Sequence, residues 1–439
     1  MTSRITHILH THILLVLVLF ASAPAASAGQ ELDDASGERT EESSYLPGED
    51  LRVWLVTAGP GHEVWERYGH NALRVLNTRT GRDISYNWGI FDFKQVSFVA
   101  RFLQGRMLYR MAAFQTDAMV DMYTNADRRV VLQELNLTPA QKQELQTLAA
   151  INALPDNREY IYQYYLDNCS TRIRNILDLV LSGALEDQFR ALGSDATYRG
   201  HTREFTQADP LISTGVDLLL GEHTDAPISI WEEMFLPLTL RDQLRNVRVT
   251  GPNGGTRPLV ISEQVGGGEL RTSEPPDGLH WFVFFLLGGL GLGLAFAALA
   301  LPSVQASTPA RRALTLLALV WTISGGILGS ILVLLLFTDH TFAYRNENLF
   351  LFNPLLLGLA ATLVLSSMRP RWRPVSSWLA LTIAAVGGLG LVWQIIPTSQ
   401  HQNAMFFALA LPAHLGMAWG LLPSTGQVRS DPKKASVLT

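Results

Sequence analysis

The chain has 439 residues, of which 47% are hydrophobic and only 17% are charged. Soluble domains carry about 25% charged residues on average, so this composition excludes a purely soluble single domain. The 34 Lys and Arg against 39 Asp and Glu leave a net charge of −5, which gives no overall basic field for binding nucleic acid. The single cysteine excludes a disulfide framework and a cysteine-based zinc site within the chain.

The N-terminus has the pattern of a secretory signal peptide. Arg4 precedes the apolar run 13–20, and Ala26 and Ala28 supply a small-residue cleavage site. An uncleaved anchor helix is the alternative, but the short apolar run and the Ala-x-Ala exit favour cleavage. Residues 29–47 are polar and lack an apolar period, which predicts a solvated linker. We therefore expect the domain that follows to be exported.

The apolar excess lies in the C-terminal part of the chain. Five runs there are long enough to cross a bilayer as helices, and none contains Asp, Glu, Lys or Arg. The runs cover residues 281–301, 313–337, 349–367, 378–396 and 404–422. Their succession predicts an all-α region of five transmembrane helices.

The loops between these runs predict the orientation in the membrane. Two loops and the tail hold clustered basic residues: Arg311, Arg312, Arg369, Arg371, Arg373, Arg429, Lys433 and Lys434. The alternate loops are poor in positive charge, since 338–348 contains only Arg345 and 397–403 contains none. Basic loops stay in the cytoplasm. We therefore expect a bacterial inner-membrane protein with a periplasmic N-terminal domain and a cytoplasmic tail over 423–439.

The exported domain, residues 48–265 before a linker at 266–280, contains both strand and helix patterns. Strands are predicted over 51–58, 70–76, 84–88, 130–137 and 160–165. One helical turn is predicted over 63–69, and helices over 94–104, 116–126, 139–153 and from 167–171 to about 181. The strands 70–76 and 84–88 flank a short turn and predict a hairpin. This order predicts an α+β domain rather than a βαβ series.

Cys169 is the residue most informative about chemistry. The helix that is predicted to begin beside it brings backbone N–H groups and the positive end of the helix dipole near the sulfur. That environment favours the thiolate, which is the nucleophilic form of cysteine, and the same N–H groups suit an oxyanion on an attacked carbonyl. The alternative is a small buried hydrophobic side chain, which the polar surroundings at 167–172 disfavour.

A thiolate nucleophile needs a base that also protonates the leaving group. The exported domain offers His62, His70, His201, His223 and His280. His62 lies in a Gly-Pro-Gly turn, His201 and His223 have polar, loop-like surroundings, and His280 adjoins the membrane. His70 begins a predicted strand, which is a rigid mount, so the sequence predicts His70 as the base.

The base in turn needs a side chain that orients it. In the predicted hairpin, position 87 lies diagonally across the ladder from His70, which makes Asn87 the first candidate. Asp92 and Asp167 are the others, and a hydrogen bond at the end of the turn explains Asn87 equally well. Neither an HExxH motif nor a phosphate-loop lysine is present, so no metal and no cofactor are expected.

Four segments together resemble a known family, the Lnb N-terminal periplasmic domain. They are residues 56–61, 66–74, 86–93 and 167–172. The resemblance implies a permuted papain-like fold of the NlpC/P60 type, in which the histidine precedes the cysteine, so His70 and Cys169 match the catalytic pair. It extends into the membrane region through Asp339, His340 and residues 346–354.

Members of that family with a known activity are lipoprotein N-acyltransferases, which implies a reaction for this chain. Cys169 would take an acyl chain from a membrane phospholipid as a thioester, while His70 protonates the leaving alcohol. The α-amine of a diacylglyceryl-cysteine at a lipoprotein N-terminus would then accept the chain. Asn168, Ser170 and Arg172 flank the cysteine in the matching motif and are expected to contact the substrate.

Polar residues in the outer loops are candidates for binding lipid headgroups. They are Asp339, His340, Asn346, Asn348, His401 and Asn403. The alternative is that these residues cap helices and mark the membrane interface.

Two other classes of function are compatible with the sequence. One is a membrane-tethered cysteine hydrolase, acting as an amidase or peptidase on peptidoglycan peptides or as a lipid thioesterase. The other is a lipid-binding or assembly module of the envelope without catalytic activity. A thiol that resists reagents and is dispensable would indicate the second class.

Overall fold

The structure is a computed structural model that describes residues 46–92, 94–251, 254–268, 278–396 and 399–422. The predicted signal peptide, nearly all of the predicted N-terminal linker and the predicted cytoplasmic tail lie outside the described residues. Within them, an N-terminal domain of mixed helix and strand is followed by a helical C-terminal region.

The N-terminal domain is built on an antiparallel sheet. Its strands are β1 (Leu51–Ala58), β2 (His70–Asn77), β3 (Asp83–Ile90), β4 (Leu108–Gln115), β5 (Val130–Leu135), β6 (Glu159–Ile161), β7 (Gly193–Thr197), β8 (Pro227–Ser229), β9 (Arg248–Thr250), β10 (Thr256–Pro258) and β11 (Val260–Gly266). Seven of these form one sheet in the order β11-β5-β1-β2-β3-β4-β6. The pairs β7–β8 and β9–β10 form separate ribbons.

Helices cover both faces of this sheet. They are α1 (Phe98–Gln104), α2 (Thr116–Asn125), α3 (Pro139–Asn152), α4 (Cys169–Val180), α5 (Ala184–Phe189), α6 (Tyr198–Thr206), α7 (Pro210–Leu219), α8 (Ile230–Glu233) and α9 (Pro237–Leu244). Alternate residues of β1 point to opposite faces, so Leu55 joins the core under α3 and α4 while Val56 packs with α2. The apolar stripe of α4 contributes Ile173 and Leu177, both fully buried.

The pairing of β2 with β3 confirms the predicted hairpin, and the α+β class is also confirmed. Among the described residues, six strands were not expected from the sequence: β4, β7, β8, β9, β10 and β11. Four of them, β7 to β10, have at most five residues, and β4 and β11 have irregular patterns. β4 interrupts its apolar pattern with Ala112 and Ala113, and the edge strand β11 exposes nearly all its residues, so neither carries a clear alternation.

Four predicted elements of the N-terminal domain are shorter in the structure by two residues or more. The turn predicted over 63–69 covers only Val64–Glu66, and the strand predicted over 130–137 covers Val130–Leu135. The predicted strand 160–165 ends at Ile161, because the chain leaves the sheet there and folds back through an isolated bridge between Gln163 and Asp167. The predicted helix 94–104 begins only at Phe98, after Ser97 adopts a left-handed conformation.

Within the described residues of the C-terminal region, five helices are long and apolar enough to span a membrane, as the sequence predicts. Its helices are α10 (Gly278–Leu299), α11 (Pro302–Gln305), α12 (Thr308–Leu335), α13 (Leu355–Met368), α14 (Arg373–Trp393) and α15 (Ala404–Leu421). Of these, α11 is a short connection. The third predicted run differs, because it begins in a 3₁₀ turn, Glu347–Phe350, and breaks at Asn353 and Pro354 before α13.

Candidate active site

Cys169 is the first residue of α4, and Asn168 caps that helix. The Asn168 side-chain oxygen accepts hydrogen bonds from the backbone N–H groups of Ser170 (2.8 Å) and Thr171 (2.9 Å). Its amide donates to the carbonyl oxygens of Tyr164 (2.8 Å) and Phe235 (3.0 Å). Because Asn168 is buried, these four bonds fix the position of the thiol in the fold.

Replacing Asn168 by alanine is expected to destabilise the protein by about 2 to 3 kcal/mol, since a cap is lost and the carbonyl groups of Tyr164 and Phe235 lose their donor. Thr138→Ala removes a partly buried cap of α3 and is the matched control, with an expected loss of about 1 kcal/mol. Equilibrium unfolding of the purified chain in detergent measures both. Equal losses in the two variants would show that the additional bonds of Asn168 contribute nothing.

His70 is the first residue of β2, and Asn87 lies on the adjacent strand. The register pairs Asn87 with Ala72, so it is diagonal to His70. The two side chains meet, with 2.6 Å between His70 Nε2 and Asn87 Oδ1. The Asn87 amide donates to Tyr123 Oη (3.3 Å), which turns the Asn87 oxygen toward the ring. His70 Nε2 therefore donates to Asn87, and Nδ1 is the ring nitrogen left for the thiol.

Gly89 brings the histidine and the cysteine together. It has a φ of +89°, and the pairing of β3 with β4 shifts register between Asn87 and Ile90. A Cβ atom built on Gly89 would lie 3.5 Å from Cys169 Cβ and 3.5 Å from His70 Cε1. Both side chains thus converge on a backbone position that favours glycine.

The pKa of the Cys169 thiol lies below its ordinary value. Burial acts against this, but the charge and hydrogen bond of the His70 imidazolium outweigh burial, and the backbone N–H groups of Asn71 and Ser170 act in the same direction. The pKa of His70 lies above its ordinary value, because the Cys169 thiolate and the Asn87 hydrogen bond outweigh the opposing effect of burial. Both shifts favour a thiolate–imidazolium pair.

Asn71 connects the strand that carries the histidine to the helix that carries the cysteine. Its side chain is fully buried, accepts from Thr57 Oγ1 (2.7 Å) and donates to Ser170 Oγ (3.2 Å). Ser170 Oγ in turn donates to the Met234 carbonyl oxygen (2.7 Å). The Asn71 side chain therefore fixes β2, which carries His70, relative to α4, which carries Cys169.

Two family models match the chain. The Lnb N-terminal periplasmic domain matches residues 41–203, and the Lnb transmembrane domain matches residues 290–422, which together make up about two thirds of the sequence. The chain belongs to the Lnb family. Searches of the curated proteins and of the solved structures found no match. As an Lnb protein with five membrane-spanning helices, it is anchored in the inner membrane with its N-terminal domain in the periplasm.

The residues that flank Cys169 in the Lnb motif make contacts within the protein. The side chains of Asn168 and Ser170 are enclosed, and their hydrogen-bonding groups have protein partners. Arg172 forms an ion pair with Asp167 and lies over the ring of Tyr160 at 4.0 Å. Of the three residues expected to contact substrate, only Arg172 has a partly exposed side chain, at 28%.

The other candidate acids and histidines are placed differently from the pair. Asp167 bonds Arg172, and Asp92 accepts from the backbone of Lys94, so neither orients His70. His201 is on α6 and not in a loop as expected: its ring lies 3.1 Å from a Glu233 oxygen and 3.5 Å from a Glu204 oxygen. Burial opposes protonation there, but the two carboxylates raise the pKa of His201 to about 9. His62 and His223 are exposed, and the His280 side chain lies outside the described part.

Asp339 and His340 bind α1 rather than lining the site. Asp339 pairs with Arg106 (2.6 Å), and its backbone N–H donates to the Gln104 carbonyl oxygen (2.8 Å). His340 Nε2 donates to the carbonyl oxygen of Phe102 (2.9 Å). These residues therefore join the outer loop of the membrane region to the periplasmic domain.

Asn346 and Asn348 have the same role at α7. Both donate to the Leu218 carbonyl oxygen, at 2.9 and 3.0 Å. Close by, the Gly221 backbone N–H donates to the Phe342 carbonyl oxygen at 2.7 Å, and a Cβ atom at Gly221 would overlap the Tyr344 carbonyl oxygen. The outer-loop residues are thus docking contacts in this structure, and the side chains they present to α7 are already hydrogen-bonded.

His401 and Asn403 also lie in this docking region. His401 Nδ1 accepts from the backbone N–H of Glu347 (3.1 Å), and Asn403 donates to Asn348 Oδ1 (3.0 Å). Among the described residues, no group of three or more His, Cys, Asp or Glu side chains is arranged to hold a metal ion.

Proposed function

We propose that this Lnb protein is a periplasmic thiol acyltransferase that moves an acyl chain from a phospholipid, through an S-acyl Cys169, to an amine. The amine is that of the N-terminal cysteine of a lipoprotein. The observation that carries the proposal is the convergence of Cys169 and His70 on Gly89, with Asn87 on the far side of the imidazole. This arrangement suits nucleophilic catalysis, in which a base activates the nucleophile and a third group orients the base.

The first half-reaction transfers the acyl chain to sulfur. The Cys169 thiolate attacks the ester carbonyl carbon of the phospholipid, and the carbonyl oxygen becomes an oxyanion. The backbone N–H of Asn71, which is beside the sulfur, is suited to stabilise that charge. The ester C–O bond then breaks, and the His70 imidazolium gives its proton to the departing alkoxide. The products are a lysophospholipid, a thioester on Cys169 and a neutral His70.

The second half-reaction transfers the chain to nitrogen. The acceptor amine attacks the thioester carbonyl, the neutral His70 takes a proton from the nitrogen, and the C–S bond breaks to regenerate the thiolate. Cys169 is only 7% exposed, which limits the access of water to the thioester.

Two measurements on the purified chain test this proposal. Mass spectrometry of the peptide that contains Cys169 is expected to detect a thioester-linked acyl chain after incubation with phospholipid. In the second, phospholipid with a labelled acyl chain is mixed with a diacylated lipopeptide, and an N-acetylated lipopeptide is the matched control. Label is expected in the free-amine peptide and not in the control.

Each of the other outcomes would indicate a different function for this protein. Labelled fatty acid alone would overturn transfer and indicate a lipid hydrolase. Cleavage of muropeptides, without movement of the label, would indicate an amidase or peptidase. Absence of all three activities, with an unreactive thiol, would indicate a lipid-binding protein.

A further inference from the structure

The segment 94–110, which contains α1, is basic. It carries Lys94, Arg101, Arg106 and Arg110 and no acidic residue, in a chain whose net charge is −5. A concentration of positive charge on one segment of an acidic protein indicates a local anionic partner.

The same segment exposes large apolar side chains. Val96 is 83% exposed, Val99 66%, Leu103 62% and Phe102 47%. Within α1, every residue is at least partly exposed, although the helix has only one charged residue, Arg101. Apolar side chains together with basic ones on a short helix are typical of segments that lie in a membrane interface.

The contacts of α1 place it at the edge of the bilayer. Asp339 and His340 hold its C-terminal end, and Asp339 is only four residues beyond Leu335, the last residue of the spanning helix α12. Four extended residues reach at most about 14 Å. The end of α1 therefore lies near the outer surface of the membrane region, where lipid headgroups are found.

The segment also leads to the candidate active site. It begins shortly after Gly89 and ends on β4, where Tyr109 stacks on Tyr162 at 4.1 Å and lies 5.2 Å from Phe91. Burial and then the charges of Tyr164 and of the Cys169 thiolate raise the pKa of Tyr109. The aromatic side chains thus extend from the segment toward the thiol.

We infer that segment 94–110 lies in the outer leaflet and binds the headgroups of anionic phospholipids. Val99, Phe102 and Leu103 enter the boundary between headgroups and acyl chains, and Lys94 and Arg101 bind lipid phosphates. This contact brings the part of the periplasmic domain that carries Cys169 against the lipid surface. The inference concerns the position of the segment and holds whichever reaction Cys169 performs.

Fluorescence quenching in nanodiscs tests this inference on the full chain. Cys169→Ser removes the natural cysteine, so an environment-sensitive dye can be attached through Val99→Cys. The matched control is Thr80→Cys in the turn between β2 and β3, about 25 Å along the strands from His70. Doxyl-labelled lipid is expected to quench the dye at position 99 at least about twofold more than at position 80.

The charge requirement is tested by lipid composition. Quenching at position 99 is expected to be stronger in discs of phosphatidylcholine with phosphatidylglycerol than in phosphatidylcholine alone, and Lys94→Gln with Arg101→Gln should remove the difference. Quenching that does not depend on phosphatidylglycerol or on these two residues would overturn headgroup binding. If the dye at position 99 is no more quenched than the dye at position 80, the membrane contact is overturned. This holds whether position 99 is then exposed to water or covered by a protein.

Discussion

Replacing Cys169 by serine is expected to abolish acyl transfer while the fold is retained. A serine hydroxyl ionises far less readily than a thiol, so the His70–Asn87 pair cannot supply an equivalent nucleophile at neutral pH. Loss of the nucleophile in a covalent mechanism costs about 10³-fold or more in rate. Transfer of labelled acyl chain to a diacylated lipopeptide measures the loss, and the thioester on residue 169 should disappear with it.

The fold of this variant is checked separately. The side chain at 169 is small and buried at a helix N-terminus, where serine is well tolerated, so we expect a stability change of at most about 1 kcal/mol. Thr147→Ala on the exposed side of α3 removes a hydroxyl without touching the site and should retain full activity. Full transfer by Cys169→Ser would exclude the covalent scheme.

The contact between His70 and Asn87 and the position of Cys169 at a helix start could be predicted from the sequence because their geometry is local. Strands have a side-chain period of two, and a short turn fixes the register of a hairpin, so Asn87 was expected diagonally opposite His70. The helix start at Cys169 follows from Asn168, a strong N-cap residue, and the apolar stripe after it. These signals lie within a few residues of the atoms that they position.

The surroundings of the pair could not be predicted in the same way. The bond between Asn71 and Ser170 joins residues far apart in sequence, and a single sequence carries no sign of which distant residues pair. Gly89 directly follows the predicted strand 84–88, but its importance depends on the side chains of His70 and Cys169 meeting there. No local sequence pattern indicates that Tyr123 contacts Asn87.

The contacts of the outer-loop residues could not be predicted from the sequence. Asp339, His340, Asn346 and Asn348 lie in the outer loops, a position that suits either headgroup binding or a structural role at the membrane interface. The structure gives them partners on α1 and α7, so they have the structural role of docking the periplasmic domain. Lipid contact is inferred instead for the apolar and basic residues of α1, which the sequence presented only as part of a helix.

Replacing His70 by alanine is expected to reduce acyl transfer by about 10³-fold, since the variant loses both the proton donor and the charge that stabilises the thiolate. The second effect can be isolated through alkylation of Cys169 by iodoacetamide, which needs the thiolate but no general acid. In the native protein, the pKa of Cys169 is lowered and that of His70 is raised, and both shifts favour the thiolate.

The pH dependence of alkylation shows how the His70 imidazolium changes the ionisation of the Cys169 thiol. Without the imidazolium, burial is the main remaining influence and raises the pKa of the thiol, which at its ordinary value would be only about 3% ionised at pH 7. Alkylation of His70→Ala at pH 7 should therefore be slower than in the native protein by about tenfold or more, and the two rates should converge only once the pH exceeds the raised thiol pKa of the variant.

The exposed His223→Ala is the matched control and should alkylate like the native protein at every pH. Equal rates for His70→Ala and the native protein at pH 7 would contradict the ion pair. A lower rate that persists at high pH would show that His70 controls access to the sulfur rather than its ionisation. Only convergence at high pH supports the charge of the imidazolium as the cause.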